Sequence, residues 1–149
     1  LDASSPTATP VLPPTIIGQV IAGKPVTVSL LNSDSSVAAV TTTNSDGTFL
    51  LTTNPGSYIV IASAEGYLNA QGIITLTDGI NSVMPTITLP AGDIDGNDVI
   101  DQYDALTLGM NYNVIAPTAA DLSNDGLTNI LDLELLAENY RKAGALAWQ

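Results

Sequence analysis

Short runs of Val, Ile and Thr, separated by polar turn residues, follow one another through residues 16–90. β-branched residues favour strands, and Tyr58–Ala62 shows the alternation of a strand, although both of its faces lean apolar. Turn signals such as Asp46-Gly47 and Pro55-Gly56 recur at intervals of about ten residues. The pattern predicts an all-β sandwich of seven strands. The predicted strands are Ile16–Ile21, Val26–Leu31, Val37–Thr42, Thr48–Thr52, Ser57–Ser63, Gly72–Leu76 and Val83–Leu89.

The pattern changes after Pro90-Ala91-Gly92, a junction so short that we expect the two parts of the chain to pack on each other. Beyond it, two acidic loops are each followed by apolar residues at helical spacing, and the second loop-helix lies 28 residues after the first. Leu108 and Leu136 are equivalent positions of the two helices. Because acidic and apolar positions repeat at one offset, the sequence predicts a small all-α module made by duplicating one loop-helix unit. We expect its second helix to extend from about Ile130 to Lys142.

The oxygen-bearing side chains of both loops fall at positions 1, 3, 5, 9 and 12, which is the ligand spacing of an EF-hand-type calcium loop. Ca²⁺ takes six to eight oxygen ligands, and the backbone carbonyl at position 7 supplies one of them. The sequence therefore predicts two Ca²⁺ sites; the alternative is two acidic turns without a metal. The predicted ligands are Asp93, Asp95, Asn97, Val99, Asp101 and Asp104 in the first loop, and Asp121, Ser123, Asp125, Leu127, Asn129 and Asp132 in the second.

The first loop offers four carboxylates and the second offers three, so we expect Ca²⁺ to bind the first more tightly. A module of about 55 residues has only a marginal hydrophobic core. We therefore expect the calcium-free module to be molten or unfolded. Its predicted core residues are Leu106, Leu108, Tyr112, Leu133, Leu135, Leu136 and Tyr140.

The paired loops, with Asp at each position 12 and helices ending in Asn111-Tyr112 and Asn139-Tyr140, resemble a dockerin. Dockerins are small calcium-binding modules of secreted bacterial and archaeal proteins that bind a cohesin. The resemblance covers residues 92–144. Asp98 occupies position 6, where Gly is usual because the turn needs a positive φ, and Asp tolerates that conformation at a cost of about 1 kcal/mol.

The resemblance also implies that positions 10 and 11 of each loop contact the partner. In cellulosomal dockerins these positions are commonly Ser or Thr, and here they are larger or more apolar. This chain therefore looks more like the divergent dockerins found outside cellulosomes. The predicted partner contacts are Gln102, Tyr103, Ile130 and Leu131.

A second resemblance covers residues 16–90, whose turn and core motifs follow the order of a carboxypeptidase regulatory-like (transthyretin-like) domain. This resemblance implies a β-sandwich, with Phe49 and Tyr58 in the core. It also implies a non-catalytic spacer or adhesive module of secreted proteins. The motifs are Gly18-Gln19-Val20, Gly23-Lys24-Pro25-Val26, Ser45-Asp46-Gly47-Thr48-Phe49, Asn54-Pro55-Gly56-Ser57-Tyr58 and Ala64-Glu65-Gly66-Tyr67.

Composition narrows the range of functions. The formal net charge is −12 with only three Lys and Arg residues, which argues against binding nucleic acid or anionic membranes. The acidity is concentrated in residues 92–149, where seven of the ten acids are predicted calcium ligands. No run of eighteen apolar residues is present, so we predict no membrane span. Because the chain has neither His nor Cys, we predict that it is not an enzyme.

These observations predict three regions: an extended arm at 1–15, the sandwich at 16–90, and the calcium module with a C-terminal tail at 91–149. Four prolines, at positions 6, 10, 13 and 14, favour a polyproline-like arm. Trp148 is expected to pack into a core. The chain starts at Leu1 without an initiator Met, which we interpret either as a mature, processed end or as the boundary of an expressed fragment. Weak calcium loops fill where Ca²⁺ is near millimolar, so we predict an extracellular, secreted or cell-surface location.

Two functions are open at this point, and both are calcium-dependent, non-covalent assembly outside the cell. In the first, the dockerin-like module docks onto a cohesin-like or other β-sandwich domain. In the second, the chain binds copies of itself as the structural subunit of a filament or surface layer. Its N-terminal arm would then donate a strand to a neighbour.

Overall fold

The computed structural model describes residues 10–115 and 118–149 of the chain. Most of the predicted N-terminal arm, residues 1–9, lies outside the described residues, as does Pro117 of the predicted connector between the two loop-helix units. The rest of the arm contacts the sandwich. The Leu12 carbonyl accepts a hydrogen bond from the Gly79 N–H at 2.8 Å, and Pro14 is buried immediately before the first strand.

The first sheet is organised around β1 (Thr15–Ile21). β4 (Thr48–Thr52) pairs with it in antiparallel orientation, with Ile17 opposite Leu50. Two short strands, β8 (Asn81–Val83) and β9 (Ile87–Thr88), pair in parallel with the first and the last residues of β1, respectively.

The second sheet contains five strands. It is mostly antiparallel, and its central strands alternate buried and exposed side chains because one face covers the core. A separate ribbon pairs β6 (Gly66–Tyr67) with β10 (Ala91–Asp93) and leads out of the sandwich. The order of the five strands is β11 (Leu146–Ala147), β7 (Ala70–Leu76), β5 (Gly56–Ser63), β2 (Thr27–Leu31) and β3 (Val37–Thr42).

In the part of the chain that the structure describes, the sandwich consists of a four-stranded and a five-stranded sheet instead of the seven strands predicted. The last predicted strand, Val83–Leu89, divides into β8 and β9 because Pro85 has no N–H to donate to the ladder. The unpredicted strands β6, β10 and β11 are two or three residues long. Alternation is not detectable over so few residues.

Among the residues described after the sandwich are two short helices: α1 (Gln102–Met110) and α2 (Ile130–Glu138). α2 ends four residues before the predicted Lys142, because Asn139 is the C-cap and the chain then reverses through Arg141 at φ 75°. Within residues 10–115 and 118–149, no helix has both the length and the apolarity needed to cross a bilayer.

The chain returns to the sandwich after α2. β11 adds in parallel to the edge of β7, and the Trp148 N–H donates to the Gln71 carbonyl at 2.9 Å. The Trp148 ring is buried, meets Phe49 edge to face at 5.8 Å, and donates through Nε1 to the Pro85 carbonyl at 2.7 Å. The expectation that Trp148 is a core residue is correct.

One hydrophobic core connects the sandwich with the helices. Buried residues of the loop-helix part belong to the same cluster as the sandwich residues, and Asn139 donates across the junction to the Ala91 carbonyl at 3.0 Å. The close packing expected from the short junction is therefore present. The shared residues from the loop-helix part are Ile100, Leu108, Leu122, Leu136 and, in the tail, Trp148.

Candidate metal centre

Two clusters of carboxylates lie in the loops that precede α1 and α2. Within each cluster, one oxygen from each of three residues lies within 4.8 Å of the others. The carboxylates at loop positions 1 and 12 are buried in both, and the third is exposed. An all-oxygen set of this kind suits a hard divalent cation such as Ca²⁺. The first cluster is Asp93, Asp95 and Asp104, and the second is Asp121, Asp125 and Asp132.

The carboxylate at position 12 closes each loop onto its helix. Asp104 accepts from the Ile94 N–H at 2.7 Å and the Asp95 N–H at 3.1 Å with one oxygen, and from the Asp101 N–H at 2.8 Å with the other. Because Asp104 is also residue N3 of α1, the same contacts form a capping box.

The second loop repeats this arrangement. Asp132 accepts from the Ser123 N–H and from the Asn129 N–H, each at 2.8 Å. Asp132 is residue N3 of α2 and completes its capping box. Asp104 and Asp132 therefore occupy equivalent positions, as the spacing in the sequence predicted.

The carboxylate at position 1 is held by the N–H groups of the turn that follows it. Asp93 accepts from the Asn97 and Asp98 N–H groups at 3.1 Å. In the second loop, Asp121 accepts from the equivalent N–H groups of Asp125 at 3.2 Å and Gly126 at 2.9 Å. Each turn thus holds its first carboxylate towards the centre of the loop.

The backbone repeats the 28-residue offset seen in the sequence. Asp98 has φ 67°, in agreement with the positive φ expected at position 6, and the equivalent Gly126 has φ 89°. Asn113 and Arg141, which follow the two helices, also form such a pair, with φ 65° and 75°. Positive φ at non-glycine residues is uncommon, so paired occurrences indicate one duplicated unit.

Each loop also pairs with the segment that follows the other loop's helix. The Ile100 N–H donates to the Lys142 carbonyl at 2.9 Å, and the Asn113 N–H donates to the Thr128 carbonyl at 2.7 Å. Val99 bridges Ala143, and Leu127, 28 residues later, bridges Ile115. The two units are therefore interlocked.

The remaining predicted ligands are engaged in local contacts. Asp101 and Asn129, at position 9, are the N-caps of the helices and accept from the Tyr103 and Leu131 N–H groups at 2.9 Å. The Asn97 side chain accepts from the Val99 N–H at 3.0 Å. Asp101 does not belong to the carboxylate cluster. Ligation at position 9 often runs through a water molecule, so the cap role and metal binding are compatible.

Electrostatics in the first loop favour a cation. Burial raises the pKa of Asp93 and Asp104, and the nearby negative charge of Asp95 adds to both effects. These shifts record mainly the cost of burying an ionised carboxylate, with repulsion between neighbouring carboxylates as a smaller contribution. Binding a divalent cation removes that cost.

The four predicted partner contacts, Gln102, Tyr103, Ile130 and Leu131, are all exposed at the starts of the helices. α1 also exposes Leu106 and Met110, at 62 % and 77 %. Leu106 is thus not the core residue predicted, and Tyr112 and Tyr140 are likewise exposed. Helical spacing offered the signal: Tyr103, Leu106 and Met110 lie three and four residues apart on one stripe, while Leu108 faces inward. We call Tyr103, Leu106 and Met110 the α1 stripe.

The chain is thus a β-sandwich joined to a duplicated acidic loop-helix unit. In sequence, residues 15–90 match the carboxypeptidase regulatory-like domain, over half of the chain. The chain belongs to this family. No curated protein matches the chain in sequence.

Solved structures extend the likeness beyond the sandwich. Two matches are chains of crystal structures of a type II Cohesin-X-Dockerin complex from Acetivibrio cellulolyticus, one an N-terminal and one a C-terminal interface mutant. Each match is 20% identical, covers 87% of this chain and 96% of that chain, and has a TM-score of 0.64 and 0.67, respectively. At this identity the likeness concerns the fold. Since residues 15–90 are little more than half of this chain, the shared fold includes part of the loop-helix region.

Proposed function

We propose that the chain mediates calcium-dependent, non-covalent assembly outside the cell. Its dockerin-like module would dock onto a cohesin-like or other β-sandwich domain. The observation that carries this proposal is the pair of three-carboxylate clusters, related by 28 residues and each closed by a position-12 Asp. The sandwich is a non-catalytic support in this proposal, in keeping with the family to which residues 15–90 belong.

Calcium is the cation that these loops suit best. The predicted ligands are side-chain oxygens of Asp, Asn and Ser and the backbone carbonyls at position 7, and the chain has no His or Cys. A loop of twelve residues wraps its ion flexibly, whereas Mg²⁺ needs a tight octahedron and retains its water. Bound Ca²⁺ supplies positive charge that neutralises the clusters, and the chain's residues hold the loop shape.

The partner surface in this proposal is the exposed side of the two helices. The α1 stripe and the exposed Ile130 and Leu131 offer apolar contact area beside acidic loops. Exposed apolar side chains that adjoin one another mark interaction surfaces in soluble proteins. The matched crystal structures, which contain a cohesin and an X-Dockerin, support an assembly role for this fold.

A second candidate function is self-assembly as the structural subunit of a filament or surface layer. The observation that favours it is an uncharged apolar row on the outer face of the first sheet. Ile17 lies between its paired residues Leu50 and Val83, which are 58 % and 71 % exposed. A neighbour's α1 stripe or donated arm would have an apolar surface to cover here, and head-to-tail contacts of that kind give open filaments.

Sedimentation velocity tests both functions. The purified chain is run with Ca²⁺ and with excess chelator, alone and mixed with the type II cohesin of the matched complex as a probe. Docking predicts a monomer that forms a heavier species with a β-sandwich partner only when Ca²⁺ is present. Self-assembly predicts large particles of the chain alone that dissolve on chelation. Both functions would be refuted by a chain that binds no Ca²⁺ and that sediments in the same way with Ca²⁺ and with chelator.

A further inference from the structure

Two side chains of the sandwich hold the segment that leads into the second loop. The Lys24 ammonium donates to the Thr118 carbonyl at 3.1 Å. The Tyr67 hydroxyl donates to the Leu122 carbonyl, at position 2 of the loop, directly after the predicted ligand Asp121. Tyr67 and Leu122 are both buried, so this hydrogen bond is shielded from water.

The sandwich backbone leaves room for this contact and directs it. The Gly23 N–H donates to the Tyr67 hydroxyl oxygen at 3.1 Å, so the hydroxyl proton is left to point at Leu122. A Cβ on Gly23 would lie 2.6 Å from that hydroxyl oxygen, and a Cβ on Gly66 would lie 2.4 Å from the Ala119 carbonyl oxygen. Glycine at both positions therefore permits the close approach of the loop segment.

The first loop is attached to the same short strand in a different way. Gly66 of β6 pairs with Asp93 of β10, and the Leu68 N–H donates to the Pro90 carbonyl at 2.9 Å. These contacts are made by the main chain. Among the described residues, the Tyr67 hydroxyl therefore hydrogen-bonds to the second loop and not to the first.

Without a bound cation, repulsion between its carboxylates favours displacement of the second loop from this position. Asp121, Asp125 and Asp132 hold their oxygens within 4.8 Å of one another, and like charges at that distance repel. Metal affinity measures the free-energy difference between the cation-bound and the cation-free loop. A hydrogen bond that is present in the bound loop and lost in the free loop therefore contributes to that affinity.

We propose that Tyr67 is the positioning residue of the second metal loop: through Leu122 it sets Asp121 in place and makes cation binding there depend on the sandwich. This inference rests on the proposed function, since it concerns the same loops. It assigns a role to the Gly23-Lys24-Pro25 and Gly66-Tyr67 motifs beyond turn formation.

The test is a Ca²⁺ titration of the full chain followed by ¹H–¹⁵N NMR. The Asp98 and Gly126 amides are matched reporters, because each donates to the position-1 carboxylate of its own loop. Tyr67→Phe removes the hydroxyl and keeps the ring. Tyr58→Phe is the control, because the Tyr58 hydroxyl donates to the Asn54 carbonyl at 2.7 Å within the sandwich, away from both loops.

We expect Tyr67→Phe to weaken Ca²⁺ binding at the Gly126 reporter about fivefold, the worth of one buried hydrogen bond, and to leave the Asp98 reporter unchanged. Tyr58→Phe should leave both affinities unchanged. Equal affinities in Tyr67→Phe and Tyr58→Phe, or equal weakening at both reporters, would overturn the inference and leave the proposed function standing. If Ca²⁺ moves neither reporter in the parent chain, the proposed function itself fails.

Discussion

At the residue scale, Asp104 and Asp132 have two tasks that reinforce each other. Each accepts N–H groups from the start of its loop and caps its helix at N3. A carboxylate suits that position because the helix N-terminus carries partial positive charge. The same carboxylate then faces the other acids of its cluster, so folding of the helix brings a predicted metal ligand into place.

Replacing Asp104 by Asn should weaken Ca²⁺ binding to the first loop by more than about tenfold, because a ligand charge is lost and an amide nitrogen cannot accept the loop N–H groups. Isothermal titration calorimetry measures the effect. Asp98→Asn is the matched control, since it also removes one exposed charge and Asn tolerates the positive φ at this position. Equal affinities of the two variants would contradict the assigned ligand set.

Burial raises the pKa of Asp93 and Asp104 above the ordinary 3.8 in the calcium-free chain. The folded chain then binds these protons more tightly than the unfolded chain does. Their contribution to the free energy of unfolding is therefore complete below the ordinary pKa and is lost as the pH rises through the raised pKa values. Asp34 and Asp46 have lowered pKa values and act in the opposite sense.

Urea unfolding of the calcium-stripped chain across the acid range measures this dependence. We expect Asp104→Asn to lose part of the gain in stability on acidification and Asp98→Asn to retain it. An identical pH dependence of stability for the parent and Asp104→Asn would show that the pKa of Asp104 is not raised in the calcium-free folded chain.

At the element scale, β11 and Trp148 attach the end of the chain to the sandwich. The first loop holds the segment just before them, since the Gly144 N–H donates to the Asp98 carbonyl and the Arg141 N–H to the Ile100 carbonyl, both at 2.8 Å. Trp148 then occupies the core beside Phe49. The sandwich core is thus completed by residues that lie far beyond the family match at 15–90.

Trp148→Ala should lower the free energy of unfolding of the sandwich by about 3–5 kcal/mol, the usual cost of removing a large buried aromatic side chain. Urea unfolding followed by the circular dichroism of the β-strands provides the measurement. Gln149→Ala, at the exposed neighbouring position, should change stability little. A loss of under 1 kcal/mol in Trp148→Ala would mean that the tail is not part of the sandwich core.

At the scale of the whole molecule, the sandwich and the calcium-loaded loop-helix unit should unfold together. They share one core, and they are joined by the β11–β7 pairing and by the Tyr67–Leu122 hydrogen bond. Saturating Ca²⁺, at about a thousand times its dissociation constant, should add about 4 kcal/mol for each occupied loop. Fluorescence of the single Trp148 reports on the sandwich, and circular dichroism at 222 nm reports mainly on the helices.

With Ca²⁺ the two signals should give coincident urea transitions. After chelation the helical signal should be lost at lower urea than the Trp148 signal, because the loop-helix unit alone has a small core. Coincident transitions in both conditions would instead make the helices independent of the metal.

Sequence alone was enough for features set by local chemistry. Strands β1 to β5 lie within a residue or two of their predicted bounds, since β-branched alternation and Gly turns are local signals. The 28-residue repeat predicted the paired loops, and the resemblance to a dockerin predicted the positive φ of Asp98. The six clustered carboxylates are among the predicted ligands because loop spacing determines which side chains point inward.

Tertiary structure alone decided the features that depend on long-range contacts. That β11 joins β7 and that Tyr67 meets Leu122 both depend on residues far apart in the chain. Local pattern carries no information about such partners, because burial and pairing are set by the arrangement of whole elements. The spacing of the clustered carboxylates was therefore visible in the sequence, whereas the attachment of the loops to the sandwich was not.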